Sequence, residues 1–421
     1  MPRVSAWFLS EERQRARRAR AERRRQREGR PHELRCFVQL DDPYSVLLLQ
    51  ALPSFLKRHA VQCRFVLVPP PSDAAAPDRA RLEVYSRRDA AELARRWGLW
   101  FEDPGHAPDP ARLQALALRL MACTDADFLQ LALPGLRELW QGGPGDPVPP
   151  EPALAAHWAR GARERERLGH YLGAMLYYEG EWYWGIDRLH HLEKRLQSLG
   201  ALREGEATSR WAPRRPSPQA ARASSAPETE IDFFFSFRSP YSALVAPRVF
   251  ELARRTGVRV NLRFVLPMVM RGLAVPAAKR RYISLDAARE ARERGVPFGR
   301  LNDPVGRPTE RGLALVPWAE AQGRGPDYVM AFMRLVWSEG VDAGSDRGLR
   351  RIVEAAGLDW DGARAALHDE RWRQTAEANR QALLDLGLWG VPSFRMGPLS
   401  AWGQDRFDWI EQDLLEDRPH D

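Results

Sequence analysis

The residues best placed for chemistry are Arg238-Ser239-Pro240-Tyr241-Ser242, which follow the apolar run Ile231 to Phe237. Such a run reads as a buried strand. Ser239 then falls at a helix N-cap and Pro240 at the first helical position. A hydroxyl donor at a helix N-terminus favours an anion, through its hydrogen bond and through the helix dipole. A thiol gains most from this, because it is mostly protonated at neutral pH and only the thiolate is a nucleophile. Lowering a thiol pKa by one unit takes about 1.4 kcal/mol. One charge-assisted hydrogen bond plus a helix N-terminus supplies about one to two units. The same serine also serves as a plain N-cap, so the pattern admits both roles.

The elements that would hold this serine follow in order. The helix continues through Ala243 to Thr256 and stops at Gly257. A second strand, Val258 to Val265, alternates apolar residues at Val258, Val260, Leu262 and Phe264. A helical block from Lys279 to Leu388 comes next, broken around Gly295-Val296-Pro297 and between Asn302 and Pro308. Gly390-Val391-Pro392-Ser393-Phe394, a hairpin around Met396-Gly397-Pro398 and a last helix from Asp405 complete the set. A βαβ half, a helical insert and a ββα half make a thioredoxin-type α/β fold.

Much of this recurs earlier in the chain. Asp41-Asp42-Pro43-Tyr44-Ser45 follows the run Cys36 to Leu40. Tyr85 with Asp89-Ala90-Ala91 matches Tyr282 with Asp286-Ala287-Ala288. Both repeats close on Trp-Gly-x-Asp-Arg, at Trp184 to Arg188 and at Trp402 to Arg406. Matching order at three places points to a tandem duplication. The first copy has Asp42 where the second has Ser239, and Leu82 where it has Lys279. Gly173-Ala174-Met175 aligns with Gly390-Val391-Pro392. A carboxylate at the serine position repels a thiolate, so the first copy is the degenerate one.

A chain of 421 residues accommodates two domains. With 44% hydrophobic and 29% charged residues it reads as globular and soluble. No apolar run approaches the roughly 18 residues that span a bilayer. Val4 to Leu9 is too short for a secretory signal, which makes the cytoplasm the expected compartment. Cys36, Cys63 and Cys123 lie in the first half and form no Cys-x-x-Cys pair, so neither a dithiol redox centre nor a metal site is expected. Nine Arg and four Glu between Glu11 and Glu28 carry +5 of the net +8. That stretch reads as a solvated helix or arm. It lacks the interleaved aromatics of a base-stacking surface, so nucleic acid is not an expected partner. The organisation read from the sequence is an arm at 1–31, a first domain at 32–202, an extended linker at 203–230 rich in Pro, Ser, Ala and Arg, and a second domain at 231–415.

The run Phe233 to Ser242, Lys279, Gly295-Val296-Pro297-Phe298, Trp337-Ser338-Glu339-Gly340, Gly390-Val391-Pro392 and Trp402-Gly403-Gln404-Asp405-Arg406 fall in one order. Together they resemble the 2-hydroxychromene-2-carboxylate isomerase and kappa-class glutathione transferase group of the DsbA-like thioredoxin superfamily. The resemblance covers essentially all of 231–415 and, more weakly, the first domain. It implies two tandem DsbA-type domains, each with an inserted helical block. It also implies glutathione as cofactor, with the Ser239 hydroxyl on its sulfur. By the same resemblance Val391 and Pro392 form a cis-proline loop that pairs with the peptide-like ligand. Lys279, Trp402, Gly403, Gln404 and Asp405 would complete the glutathione contacts. Tyr241, Arg271 and Arg311 would meet a small aromatic or anionic substrate. Some relatives carry an asparagine after the second strand and paired arginines further on. Leu266 to Lys279 holds no asparagine, and Leu301 to Arg311 lacks the pair.

The implied activity is glutathione-dependent isomerisation, with glutathione transfer as the alternative because the first step is shared. A non-catalytic thioredoxin-fold scaffold is the reading from a different class. Relatives of this kind commonly act as dimers, so the first domain is expected to serve as an internal pseudo-dimer partner of the second.

Overall fold

The computed structural model describes residues 2–203, 209–213, 229–273 and 275–415. These residues fall into two compact units. The N-terminal unit takes those within 15–213 together with 276–282; the C-terminal unit takes those within 1–14, 214–275 and 283–421. Among the described residues no helix is long and apolar enough to cross a membrane.

In the C-terminal unit the run of phenylalanines becomes β5 (Glu230–Phe235), which is buried from its second residue onward. It pairs in parallel with β6 (Arg259–Phe264) and antiparallel with β7 (Ser393–Met396); β7 forms a hairpin with β8 (Leu399–Trp402). The sheet order is β6-β5-β7-β8. Phe233 stacks on Phe394 at 5.6 Å, and Phe237 on Phe332 at 3.8 Å. Each fully buried phenylalanine contributes about 2 to 3 kcal/mol. Seven helices between Ala277 and Asp385 separate β6 from β7, which is the helical insert read from the sequence.

The N-terminal unit repeats this plan with β1 (His32–Val38), β2 (Val61–Leu67), β3 (Met175–Tyr178) and β4 (Glu181–Trp184), in the order β2-β1-β3-β4. Four helices between Arg79 and Arg167 form its insert. Interior contacts recur as well. The Trp337 indole donates to the Phe237 carbonyl at 3.0 Å, and Trp140 donates to Leu40 at 3.2 Å. Tyr241 donates to Asp286 at 2.8 Å, as Tyr44 does to Asp89. Both units are therefore α/β units of thioredoxin type.

Three boundaries differ from those read from the sequence. The arm is not a separate element. Pro2–Leu9 is a helix whose Leu9 is buried, and the Leu301 amide donates to Ser5 Oγ at 3.1 Å. The helix Glu11–Arg27 follows, and Arg18 pairs with Glu181 at 2.7 Å. The linker is not wholly extended either. Residues 204–208 and 214–228 lie outside the described residues, but Trp211 is only 2% exposed and sits 5.6 Å from the Trp97 ring. Burying an indole outweighs the extended preference of a Pro-rich stretch. Finally, 276–282 belongs to the N-terminal unit although it follows β6 in the chain.

The helix Pro240–Thr256 is tied to the last helix, Phe407–Leu415, through Arg248. Its guanidinium pairs with Asp408 at 2.6 Å and with Glu411, and all three side chains are largely buried. Removing one member of such a group strands the others without a counter-charge. We expect Arg248→Ala to lower the unfolding free energy by about 3 kcal/mol in denaturant titration. A loss near zero would show that the cluster is solvated.

Candidate functional site

Ser239 is the N-cap of the helix Pro240–Thr256. Its backbone is extended (φ −90°, ψ 113°), and its Oγ accepts from the Ser242 amide at 3.1 Å. The same hydroxyl donates to the Val391 carbonyl at 3.2 Å. The Val391–Pro392 peptide is cis. One turn of helix and one strand entrance therefore meet at a single hydroxyl. Its only proton rests on a carbonyl and is free to swing to a stronger acceptor.

The surrounding loop is pinned from several sides. Arg238 makes a bidentate pair with Asp303, at 2.8 Å through each arm. Asp286 takes the Tyr241 hydroxyl on one oxygen and Arg289 on the other, at 2.5 Å. The Tyr241 phenol is thus committed to a buried carboxylate, and only its ring is left to face a substrate.

The strand side supplies a second group. Gly403 (φ 113°) donates its amide to the Pro392 carbonyl at 2.8 Å. Gln404 and Asp405 lie in the short turn before the last helix. Gln404 is buried, and its amide nitrogen donates to Glu290 at 2.9 Å and to Asp405 at 2.8 Å. Its Oε1 has no partner among the described residues. Arg294 lies 3.5 Å from Asp405. The Trp389 and Trp402 rings are 5.2 Å apart, and the buried Trp389 Nε1 also lacks a partner among the described residues. Gly390 has no side chain because a Cβ there would strike the Trp402 indole.

Two sequence-predicted residues are not brought to this site. Lys279 belongs to the N-terminal unit, where its ammonium donates to the Ala75 carbonyl at 2.9 Å. Burial lowers its pKa. Its place in the chain suggested the Ser239 neighbourhood; the contact its ammonium makes is within the N-terminal unit. Arg311 donates to the Gly344 carbonyl at 2.8 Å and pairs with Asp346, which braces that loop. Arg271 keeps a guanidinium Nε without a partner among the described residues, and burial lowers its pKa. Asp303, Glu290, Arg294 and Trp389 were not anticipated. Only Trp389, beside Gly390-Val391-Pro392, carried a local signal.

In the N-terminal unit Asp42 caps the helix Pro43–Arg58, accepting from the Tyr44 amide at 3.1 Å and the Ser45 hydroxyl at 3.2 Å. Burial pushes its pKa up to about 7, and the charge on Asp41 adds to the effect. The hairpins correct the alignment read from the sequence by one residue. Gly185 donates to Ala174 at 2.8 Å as Gly403 does to Pro392, so Ala174, not Met175, stands in the proline's place. The Ala174 amide donates to Ser45 Oγ at 3.1 Å. A proline has no such hydrogen to give, and Ser242 Oγ is correspondingly without a partner among the described residues.

Strand order, helical insert and the Ser-Pro helix start define a thioredoxin-type site without cysteines. Residues 230–415 match the family model of the DSBA-like thioredoxin domain. It is 27% identical over 194 residues to a 2-hydroxychromene-2-carboxylate isomerase of Sphingobium xenophagum, covering 44% of this chain and 98% of that one. It is 24% identical to the Pseudomonas putida enzyme of the same name, over 43% of this chain and 92% of that one. A solved 2-hydroxychromene-2-carboxylate isomerase is 22% identical with a TM-score of 0.39, covering 44% of this chain and 95% of that one.

Two outcomes follow from this geometry. Gly390→Ala drives a methyl group into the Trp402 indole, so it should lower Tm and change indole fluorescence; an unchanged spectrum and Tm would mean the loop yields freely. Asp42 binds its proton more tightly folded than unfolded, so its contribution to stability is full below about pH 4 and is lost as pH rises through about 7. The denaturant midpoint of wild type minus that of Asp42→Asn should therefore fall between about pH 4 and 7. A flat difference would place the Asp42 pKa in the ordinary range.

Proposed function

We propose that this protein is a glutathione-dependent isomerase of the 2-hydroxychromene-2-carboxylate isomerase type, acting through Ser239 in the C-terminal unit. The observation that carries the reading is the Ser239 hydroxyl, held at a helix start opposite the Val391 carbonyl within the stretch that matches the DSBA-like thioredoxin domain, in a chain similar to the named isomerases. The residues present fit a thiol tripeptide. Ser239 offers a donor for a sulfur, the buried Gln404 Oε1 and Trp389 Nε1 offer unused polar atoms, and Asp405, beside Arg294 and Gln404, offers a carboxylate that an ammonium would share with them. The C-terminal unit contains no cysteine, so the thiol must come from the ligand.

When bound, glutathione supplies a thiolate able to add reversibly to a conjugated double bond and so allow rotation about it. The protein's part is electrostatic. Ser239 turns its proton from Val391 toward the anion, and the amides of the first helical turn add their dipole. The clamps Arg238–Asp303 and Tyr241–Asp286 keep the helix start from shifting, which holds the hydroxyl in one place before the ligand arrives. Arg271 is the cation we assign to an anionic substrate group. The N-terminal unit, with Asp42 and Ala174 in place of the serine and the proline, takes the non-catalytic place of a second subunit.

Calorimetric titration of the full chain with reduced glutathione tests the reading, together with a pH titration of the bound thiolate by its ultraviolet absorbance. Wild type should bind saturably and lower the thiol pKa by about one unit or more. Ser239→Ala should remain folded, losing about 1 kcal/mol as a cap, and should lose most of that pKa shift. Equal thiol pKa values in both proteins, or no binding at all, would favour a scaffold.

A further inference from the structure

We propose that the N-terminal unit holds a separate binding site for a small oxyanion, a carboxylate or a phosphate, built from Arg165 and Lys279, whose cations rest on carbonyls of the loop that follows β2.

Arg165 lies near the end of the helix Pro152–Arg167 and is 3% exposed. Its one hydrogen bond is from a terminal nitrogen to the Pro69 carbonyl at 3.2 Å. Its Nε has no acceptor among the described residues, and the residue forms no ion pair among them. Burial lowers its pKa to about 10, opposed only by its exposed chain neighbour Glu166. Lys279 is half-buried in the same unit and donates to the Ala75 carbonyl of the same loop. It too has no carboxylate among the described residues, and its ammonium stands 6.0 Å above the Tyr171 ring. Tyr171 stacks on His170 at 4.9 Å, and His170 meets the Tyr282 ring edge-on at 4.6 Å.

A buried cation facing only a neutral carbonyl is unusual, because desolvation of the charge is not repaid by a dipole alone. Two other arginines with little exposure have carboxylate partners: Arg248 has two, and Arg289 has Asp286. Arg165 and Lys279 lack that compensation on one proline-rich loop, and an anionic ligand would complete it. A guanidinium edge with a free Nε–H presents two parallel donors to an oxyanion. The ammonium adds a second positive charge. The same unit has Asp42 where the other has Ser239, so its ligand is expected to be other than a thiolate.

The test uses the full chain, with Tm followed as inorganic phosphate, benzoate or chloride is added at matched ionic strength. Phosphate or benzoate should raise Tm saturably where chloride does not, and the one that acts identifies the oxyanion. Arg165→Gln and Lys279→Gln should each weaken the apparent affinity by about tenfold or more. Without added anion, Arg165→Gln should match or exceed wild type in Tm, because an uncompensated charge has been removed. If that variant does not fold, Lys279→Gln carries the comparison. No anion-specific rise in wild type, or unchanged titrations in the folded variants, would overturn the proposal.

Discussion

The site depends on one hydroxyl that joins two distant parts of the chain. Ser239 caps its own helix through the Ser242 amide and reaches the Val391 carbonyl on the strand side. That contact can form only if β5 and β7 are neighbours and the helix starts where β5 ends. The sheet order β6-β5-β7-β8 meets the first condition, and Pro240 at the first helical position meets the second. The Trp337 indole on the Phe237 carbonyl then fixes the height of the loop between strand and helix.

The two units separate scaffold from site. They share strand order, the indole-to-carbonyl contact and the tyrosine–aspartate pair. They differ at the helix start and at the residue facing it from the strand side. Asp42 replaces the serine and gives the helix start a carboxyl that titrates near neutrality instead of a neutral donor. Ala174 replaces the proline, and its amide is spent on Ser45. Contacts that hold the fold persist in both copies, because losing them strands buried polar groups. Contacts that serve a ligand can be exchanged without that cost.

Charge is distributed along the same lines. In the C-terminal unit three arginines around the site are braces: Arg238 on Asp303, Arg289 on Asp286, Arg248 on Asp408 and Glu411. Arg238 and Arg248 link the site loop and the site helix to other elements, and Arg289 holds Asp286 where it accepts from Tyr241, so the position of Ser239 is over-determined. The Arg-rich N-terminal stretch likewise forms pairs such as Arg18 with Glu181, which explains why a highly basic segment is folded as a helix.

The local parts of this protein were legible from its residues. The phenylalanine run, the Ser-Pro start, the Gly257 stop and the repeated Trp-Gly-x-Asp-Arg ending each depend on near neighbours in the chain, where backbone preference and periodicity act directly. So the α/β class, the repeat and the place of Ser239 could be read without coordinates. What the tertiary structure decided are contacts between residues far apart in sequence. It sent Lys279 to the loop at Ala75, tied Arg311 to Gly344 and Asp346, shifted the aligned proline from Met175 to Ala174, and buried Trp211 beside Trp97. A side chain's partner depends on which surfaces the fold brings within a few ångströms, and neither residue type nor spacing encodes that distance.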